Sequence, residues 1–363
     1  MRFTALSGLA LSAALATTAP AYAFDDLLRG IGVIPAVTND YLAFEYVSPS
    51  RGFNVVDAMS VGVSGDETLN MALLAGEEDE VTGIDFGQVK SVLMLGSAPA
   101  LTTVIFGAPG FATKAHEALL ARDFTATERG DLTIYALGED FALDFAAATS
   151  DPTDPLGSGT GKSQRLAIAE DHIIRTASWP EIGLAVATLE SPPAYTQVWT
   201  DTILGMRTVA GEYANLEMAS AWSMSAFGDV GQVFTTDDLP PPGGKIKLTT
   251  PELEPALAFP FAIMGITLDD ETAGLHIAIP YGNEAMAAEA GEIITARLAD
   301  FAAENVPAFE FTVVPAGDTP DAANVLVVSV ETTSPERTEV QALYYSFVSA
   351  IYRRDFKPLM SGV

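Results

Sequence analysis

The segment Gly157–Ser163, G-S-G-T-G-K-S, has the residue types that come nearest to a recognised chemical motif. Glycine-rich loops of the form G-x-x-x-x-G-K-[ST] bind phosphate when a strand precedes them and a helix follows. Leu156 stands where that motif needs its first glycine, and two Asp-Pro pairs precede the loop. The alternating polarity of Gln164–Ile168 predicts a strand after it and not a helix. We interpret the segment as a surface loop, and the sequence predicts no cofactor.

The three histidines of the chain are the residues best suited to metal binding or general base chemistry. None has the spacing H-x-x-x-H or H-E-x-x-H. The local pattern places His116 on a helix flank and His172 in a hairpin turn. His276 alternates with Leu275 and Ile277, which predicts a side chain that points outward from its strand. The sequence therefore predicts no metal site.

Serine hydrolase chemistry has no local signature in this chain. Gly62-Val63-Ser64-Gly65 is followed by Asp66, which breaks the G-x-S-x-G elbow. A Ser-His-Asp triad needs no fixed spacing, however, and stays an open alternative. Any pair among the 48 Asp and Glu residues could be nominated for glycosidase chemistry, so composition singles out no pair. The catalytic residues, if any exist, are unknown from the sequence.

Acidic clusters offer the hard oxygen ligands that Ca²⁺ prefers. They occur at Glu77–Glu80, at Asp151 and Asp154, at Asp237-Asp238 and at Asp269–Glu271. None has the spacing of a dedicated calcium loop. We interpret them as solvated turns, with weak and incidental cation binding as the alternative.

The charge and cysteine content exclude several classes of function. The chain has 18 Lys and Arg against 48 Asp and Glu, and its formal net charge is −30. Nucleic-acid binding needs clustered Lys and Arg, so nucleic acid is excluded as a partner. Because the chain has no cysteine, disulfides, thiolate metal sites and cysteine nucleophiles are excluded as well. Stability must therefore come from buried apolar surface.

The first 23 residues are typical of a secretory signal peptide. Arg2 is their only charged residue, Ala5–Ala16 is mostly apolar, and Ala21-Tyr22-Ala23 is a small-x-small cleavage site. We expect cleavage between Ala23 and Phe24, and a soluble mature chain that is periplasmic or secreted. No later apolar run reaches the roughly 18 residues of a membrane span.

Two hairpin–helix units organise the rest of the chain. Apolar runs Val92–Leu95 and Leu101–Phe106 predict one hairpin, and a helical stripe begins at Phe111. Phe261–Leu268 and Leu275–Ile279 predict a second hairpin, followed by a helix after Asn283. Further predicted elements are a strand at Tyr41–Val47, a helix at Glu67–Ala75 ended by Gly76, a helix opened by the capping box Ser178–Glu181, and a last helix with Val340, Leu343, Phe347 and Ile351 buried.

The clearest predicted boundary is the segment 237–244, where three prolines precede two glycines. We predict a signal peptide at 1–23, an N-terminal domain at 24–236, this linker at 237–244, and a C-terminal domain at 245–363. The predicted fold class is α+β, in which each domain has a mainly antiparallel sheet with helices on one face.

The predicted function follows from the export signal, the acidic surface and the lack of a catalytic motif. We expect an exported acidic protein that acts as a non-catalytic binding or interaction module. Its partner would be an unknown exported protein or small ligand. The alternative is an extracytoplasmic hydrolase whose site is assembled only in three dimensions.

Overall fold

A computed structural model describes residues 22–34, 42–48, 67–96, 101–129, 132–144, 154–156, 162–211, 214–223, 259–268, 272–301, 308–315, 324–332, 337–352 and 356–359. The helices are α1 (Tyr22–Gly30), α2 (Glu67–Ala75), α3 (Ala115–Leu120), α4 (Trp179–Glu190), α5 (Gln197–Ala210), α6 (Glu284–Phe301) and α7 (Arg337–Tyr352). The predicted linker at 237–244, the glycine-rich loop 157–161 and the segment before Tyr22 lie outside the described residues.

The strands are β1 (Leu42–Val47), β2 (Glu78–Asp79), β3 (Ile84–Asp85), β4 (Val89–Leu95), β5 (Thr102–Gly107), β6 (Thr125–Arg129), β7 (Leu132–Leu137), β8 (Gln164–Ile168), β9 (His172–Thr176), β10 (Asn215–Ser223), β11 (Phe261–Leu268), β12 (Ala273–Tyr281), β13 (Glu310–Pro315) and β14 (Asn324–Thr332). β2 and β3 form a separate two-stranded ribbon. The others make one antiparallel sheet of twelve described strands, in the order β13-β14-β12-β11-β10-β1-β4-β5-β9-β8-β7-β6.

The same strand order occurs on both sides of the centre of this sheet. From β1 outward it is β1-β4-β5-β9-β8, and from β10 outward it is β10-β11-β12-β14-β13. In each half a helix follows the third strand, α3 after β5 and α6 after β12. The half that begins with β1 also carries the hairpin β6–β7 at its outer edge. The centre of the sheet is the β1–β10 pair, where Glu45 lies opposite Ser220.

Helices cover both faces of the sheet, so the prediction of helices on one face is wrong. Successive residues of a strand point to opposite faces, and successive residues here enter different hydrophobic clusters, as Val92 and Leu93 do. One face packs against α1, α4 and α5. The other packs against α2 and α3 in one half, and against α6 and α7 in the other half. When both faces of a sheet are covered, its strands are apolar at nearly every position, as β11 and β12 are.

The structure confirms an α+β fold with a large antiparallel sheet, but it does not confirm two domains with separate sheets. β10 and β11, which lie on either side of the predicted linker, pair from Asn215–Leu268 to Ser223–Phe261. One hydrophobic cluster also contains Phe44 and Leu93 together with Ile263 and Val327. Burial of apolar surface therefore joins the two regions. The boundary at 237–244 stays a prediction.

Local signals explain where several helices begin and end. α2 has the predicted bounds, and Gly76 follows it with a φ of 61°, a left-handed conformation that suits glycine. At the start of α4, the Ser178 side chain accepts a hydrogen bond from the backbone N–H of Glu181 at 3.4 Å, as the predicted capping box requires. On α5, Gly205 permits close packing, because a Cβ there would lie 2.7 Å from Val325.

No helix among the described ranges is both long enough and apolar enough to cross a membrane.

Candidate functional site

His276 is buried in the sheet, and the prediction that it points outward is wrong. Its side chain lies on the face covered by α5, and the residue has no exposed surface. Nε2 is 2.7 Å from the Thr267 hydroxyl and Nδ1 is 2.9 Å from the Ser329 hydroxyl. Burial lowers the pKa of His276 from 6.5 to about 4, so the ring is neutral at pH 7. Both ring nitrogens have hydrogen-bond partners, and the ring is part of the protein core.

The other two histidines lie far from His276 in the sheet order. His116, on α3, has Nδ1 2.6 Å from the Tyr135 hydroxyl, and it is on the helix flank as predicted. His172 is the first residue of β9, directly after the predicted hairpin turn. The structure therefore brings no two histidines together. Among the described residues, no group of three or more His, Cys, Asp and Glu side chains is arranged to hold a metal ion.

An ion-pair network joins α1 to the β8–β9 turn. Arg29 Nη1 donates to Asp171 Oδ2 at 2.7 Å, and His172 Nδ1 lies 2.7 Å from Asp171 Oδ1. Arg29 also lies over the Phe106 ring, with 5.6 Å from its guanidinium carbon to the ring centroid. Burial raises the pKa of Asp171, but hydrogen bonds from Arg29 and His172 outweigh it and lower the pKa from 3.8 to about 2.

This network has two of the three members of a catalytic triad, because the Asp171 carboxylate orients the His172 imidazole. We place a proton on His172 Nδ1 and infer that Nδ1 donates it to Asp171. The distance from Nδ1 to Asp171 Oδ1 is 2.7 Å, which is shorter than the 3.2 Å from Nδ1 to Arg29 Nη2. In the described part of the chain no hydroxyl is hydrogen-bonded to His172. The contacts hold α1 in place: Ser91 donates to Asp26 at 2.8 Å, and Arg207 donates to Asp25 at 3.1 Å.

The predicted cleavage site lies inside α1, which begins at Tyr22. Phe24, which would become the first residue of the mature chain, is fully buried in the cluster shared by both halves. Arg207 lies over its ring at 5.9 Å. α1 is therefore part of the layer of helices that packs on this face of the sheet.

The remaining residues considered in the sequence analysis lie in the following surroundings. β8 confirms that a strand follows the glycine-rich segment, and Lys162 forms a bridge with Leu143. In the acidic cluster 77–80, Glu78 pairs with Lys114 at 2.6 Å and Asp79 accepts from the Thr82 backbone N–H at 2.9 Å. Asp154 is buried, pairs with Arg122 and accepts from the Leu156 N–H at 2.9 Å, so the prediction of a solvated turn is wrong for this residue. On α7, Phe347 is buried as predicted, and Tyr344 is buried as well.

The loop 138–144, between β7 and the segment that leads to β8, presents two apolar side chains to solvent. Phe141 is 48% exposed and Leu143 is 57% exposed. A turn closed by the Ala142 N–H and the Glu139 carbonyl, at 3.1 Å, places Phe141 in its third position. We call residues 138–144 the Phe141 loop. Its sequence is G-E-D-F-A-L-D. No hydrophobic pattern in this sequence marks the loop as a site.

A buried arginine anchors the Phe141 loop from below. Arg165, 2% exposed, donates to the Leu137 and Gly138 carbonyls, both at 3.0 Å, and to Asp140 Oδ1 at 2.7 Å. The same Asp140 oxygen accepts from the Trp179 backbone N–H at 3.1 Å. These bonds tie the loop to the start of α4.

The loop residues that follow are tied down by the backbone. Phe141 N–H donates to the Ala177 carbonyl at 3.2 Å, and the Ser163 N–H donates to the Ala142 carbonyl at 2.9 Å. Next to the loop anchor, the guanidinium carbons of Arg129 and Arg165 lie over the Trp179 ring, at 5.5 and 5.4 Å from its centroid. The apolar side chains are therefore presented from a fixed backbone.

Phe141 adopts an unfavourable backbone conformation. Its φ is 57°, and a bulky residue in this left-handed region costs roughly 1–2 kcal/mol, which glycine would avoid. Asp123 also has a positive φ, 63°, but aspartate is common there. Since Phe141 is neither well buried nor relaxed, folding alone does not account for its side chain. Outliers of this kind concentrate at functional sites.

Comparisons with known proteins show a remote structural likeness. No family model and no curated protein sequence matches it. Three crystal forms of TP0453 resemble its structure: form I at 11% identity and a TM-score of 0.34, covering 87% of this chain and 96% of that one; form III at 11% and 0.35, covering 87% and 98%; and form IV at 10% and 0.36, covering 89% and 99%. Likeness at this level carries no argument about function.

Proposed function

We propose that the chain is an exported, non-catalytic interaction module that uses the Phe141 loop to bind another protein. The observation that carries the proposal is the exposed Phe141 side chain on an anchored and strained turn. Exposed aromatic side chains held in one conformation lose little entropy on binding, and aromatic residues are enriched at the centres of interfaces.

Position in the fold supports the same site. The Phe141 loop follows β7, which belongs to the hairpin that extends the sheet beyond the strand order repeated in both halves. We infer that the chain repeats a hairpin–helix unit, and that β6, β7 and the Phe141 loop are additions to one copy. Loops added to a supporting scaffold are common places for binding residues. The further division into two separately folded domains stays a proposal.

Photocrosslinking tests the interaction directly. The full chain carries p-benzoylphenylalanine in place of Phe141, is expressed with its leader, and is irradiated in the producing cells. We expect a protein adduct at position 141 that mass spectrometry identifies. The matched control has the same crosslinker in place of Leu120, an exposed apolar residue on α3 (44% exposed). Absence of a protein adduct at 141, or equal adducts at both positions, would contradict the proposed function.

Stability measurements separate binding from a structural role of the same side chain. Phe141→Gly relieves the strain of the positive φ, which stabilises the folded chain, and it also enlarges the unfolded ensemble, which destabilises it. Because the first effect offsets the second, we expect the melting temperature of the variant to match or exceed that of the wild type. A clear loss of stability in both Phe141→Gly and Phe141→Ala would mean that the ring supports the fold. Asp123→Gly, at the other positive-φ position, is the control for the backbone effect alone.

Export is part of the proposal and has its own test. Cleavage between Ala23 and Phe24 predicts a mature protein whose first residue is Phe24. N-terminal sequencing of the protein from the periplasmic and secreted fractions checks this. An uncleaved chain retained in the cytoplasm would remove the export argument.

The Asp171–His172 pair favours a second candidate function, an extracytoplasmic hydrolase. In that case His172 would act as a base, with a nucleophile brought to Nε2 by substrate binding or by another part of the chain. Turnover of p-nitrophenyl acetate that is lost in both His172→Gln and Asp171→Asn would support the hydrolase. Activity that persists in both variants would exclude this pair as its origin.

A further inference from the structure

The two edge strands of the sheet differ in their protection. β13 forms one edge, where Phe311 and Val313 pack against the cluster that contains α6. Val314 packs on the other face, against the cluster shared by both halves. Pro315, which has no backbone N–H, ends the strand. Cover on the faces and a terminal proline both keep an edge strand from pairing with another chain.

β6 forms the opposite edge and lacks this protection. All five of its residues are exposed, so no described helix buries it on either face. It pairs with β7 without a bulge, from Thr125–Ala136 to Arg129–Leu132. Within the described ranges, no strand and no backbone hydrogen bond meets its outer edge. Because an antiparallel strand directs N–H and C=O groups to both sides, this edge can accept a further strand.

The added hairpin is the reason why this edge lies beyond the helices. In β8, where the repeated strand order ends, four of the five residues are buried. β7 and β6 continue the sheet past that strand, and the number of buried residues falls from two in β7 to none in β6. The first half of the sheet therefore ends in an exposed strand, whereas the second half ends in a covered one.

The side chains of β6 give this edge no net charge. Glu128 accepts a hydrogen bond from the Thr133 hydroxyl at 3.2 Å, and the guanidinium carbon of Arg129 lies 5.5 Å from the centroid of the Trp179 ring. Each charged group therefore contacts its own chain, and the segment Thr125–Thr127 carries no charge. In a chain of formal net charge −30, a second copy meets comparatively little repulsion at such an edge.

We infer that β6 pairs antiparallel with β6 of a second copy, across a two-fold axis that passes between the two Thr127 residues. In this register Ala126 lies opposite Glu128 of the other copy, and Thr125 lies opposite Arg129. No like charges face each other, and Thr127 faces Thr127, a favourable cross-strand pair. An axis at Glu128 would instead place two carboxylates opposite each other, which is destabilising. A two-fold contact uses the same surface of both copies and leaves neither edge open.

Salt should strengthen this contact. A pairing of five residues buries little surface, which is typical of weak and transient contacts, and the net charges of the two copies oppose it. Since salt screens that repulsion, we expect the dissociation constant of the dimer to fall roughly tenfold between 0.05 M and 0.5 M NaCl, as measured by sedimentation of the mature chain. A chain that stays monomeric at 1 mM protein in 0.5 M NaCl would overturn the inference.

Disulfide crosslinking tests the register. The chain has no cysteine, so Thr127→Cys supplies one thiol per copy. Residues opposite each other in an antiparallel pair have Cα atoms about 4.5–5.5 Å apart, a separation that a disulfide can bridge. With copper phenanthroline as the oxidant, we expect covalent dimers to form at least tenfold faster than in the control Thr208→Cys, which changes an exposed threonine on α5. Equal rates in the two variants would contradict the pairing.

A charge variant separates β6 from other surfaces. Thr127→Lys places two ammonium groups opposite each other on the axis, so the dissociation constant should rise at least tenfold in 0.15 M NaCl. Because this variant also lowers the net negative charge, whole-chain repulsion would not explain a weaker dimer. Thr208→Lys adds the same charge elsewhere and should leave the dimer intact.

Two further results would overturn the inference independently of the proposed function. Phe141→Gly should leave the dimer unchanged, and a dimer that is lost in this variant, or that persists in Thr127→Lys, would place the contact on another surface. A strand of a different protein is the competing occupant. With p-benzoylphenylalanine in place of Thr127 in the producing cells, we expect an adduct of two copies of this chain, whereas an adduct with another protein alone would assign the edge to that protein.

Discussion

The two halves of the sheet have the same strand order but bury different polar side chains. Among the described basic side chains, the half from β1 to β9 buries Arg165, Arg175 and His172, whereas the half from β10 to β14 buries the neutral His276. Arg175 donates to the Pro155 carbonyl at 3.4 Å and to the Thr103 hydroxyl at 3.1 Å. The arginines thus hold loop segments, while His276 only bridges neighbouring strands through hydroxyls.

Additional chain in the first half explains this difference. Between α3 and β8 it contains β6, β7 and the Phe141 loop, whereas no strand is described between α6 and β13. Extra loops bring backbone carbonyls to the sheet end, and these need donors when they are buried. A guanidinium has five N–H donors and can satisfy several carbonyls at once. We infer that the buried arginines accompany the added segment, and that the second half keeps the simpler arrangement.

The largest expected effect concerns whether the halves unfold together. Phe261 stacks on Trp199 with ring centroids 3.5 Å apart, in the cluster that contains both halves. Phe261→Ala should lower the free energy of unfolding by about 3–5 kcal/mol, since it leaves a cavity. Denaturant unfolding followed by tryptophan fluorescence and by circular dichroism should give coincident transitions for wild type and variant. Separate transitions, or a stably folded fragment starting at Lys245, would favour the two-domain prediction.

The second prediction tests the fully buried histidine of the C-terminal half. The pKa of His276 is lower in the folded chain than in the unfolded chain, so the unfolded state binds more protons between about pH 6.5 and pH 4. The stabilising contribution is therefore complete above pH 6.5 and is lost as pH falls toward 4. The loss at pH 4 should be about 3 kcal/mol.

Comparison with a variant separates the contribution of His276 to stability from the contributions of the many carboxylates, which also titrate between pH 7 and pH 4. His276→Gln should lose less stability than the wild type between pH 7 and pH 4, as measured by urea unfolding. Parallel curves for wild type and His276→Gln would contradict the assignment.

A smaller effect is expected at the α1 network of the first half. Arg29→Gln should destabilise the protein by about 1 kcal/mol or less, because both charged side chains are partly exposed and solvent screens them. The pKa of Asp171 is lowered when folded, so this contribution is present above pH 3.8 and is lost as pH falls toward 2. Thermal unfolding should show the difference at pH 7 in 0.05 M NaCl and little difference in 1 M NaCl. An unchanged difference in 1 M NaCl would indicate a packing effect of the side chain.

The smallest expected effect is that of calcium. Glu78, Asp79 and Asp154 already have partners within the protein. The clusters at Asp237-Asp238 and Asp269–Glu271 are predicted to be solvated turns. Millimolar Ca²⁺ in 0.5 M NaCl should shift the melting temperature by less than about one degree, whereas a native-state site saturated 100-fold would add about 2.7 kcal/mol. A saturable shift that disappears in Asp269→Asn/Asp270→Asn would show a real site.

The elements of the fold were largely readable from local sequence, because caps, turns and apolar runs are local signals. α2 and the start of α4 agree with the predicted bounds, and β4, β5, β11 and β12 agree within a few residues. The arrangement of those elements was not readable. Apolar runs such as Ile263–Ile266 have no alternation, which fits coverage on both faces, and pairing between β10 and β11 depends on contacts across a long segment.

The candidate site was not predictable for a different reason. Phe141 is marked by its backbone conformation and by its exposure, and neither property is visible in a single sequence. His276 was misassigned because alternation distinguishes two faces but cannot say which of them meets solvent. The order of charged residues in G-E-D-F-A-L-D is visible, but it resembles many ordinary loops.

The position of β1 has a consequence for the order of folding. Leu42 pairs with Trp222, and the other edge of β1 pairs with β4. The central strand therefore has an unpaired, largely apolar edge until β10, well over one hundred residues later in the chain, becomes available. Pairings so distant in sequence form slowly, and an open strand edge is a template for aggregation. We expect refolding yields to fall steeply with protein concentration, and chains truncated before Asn215 to self-associate through β1.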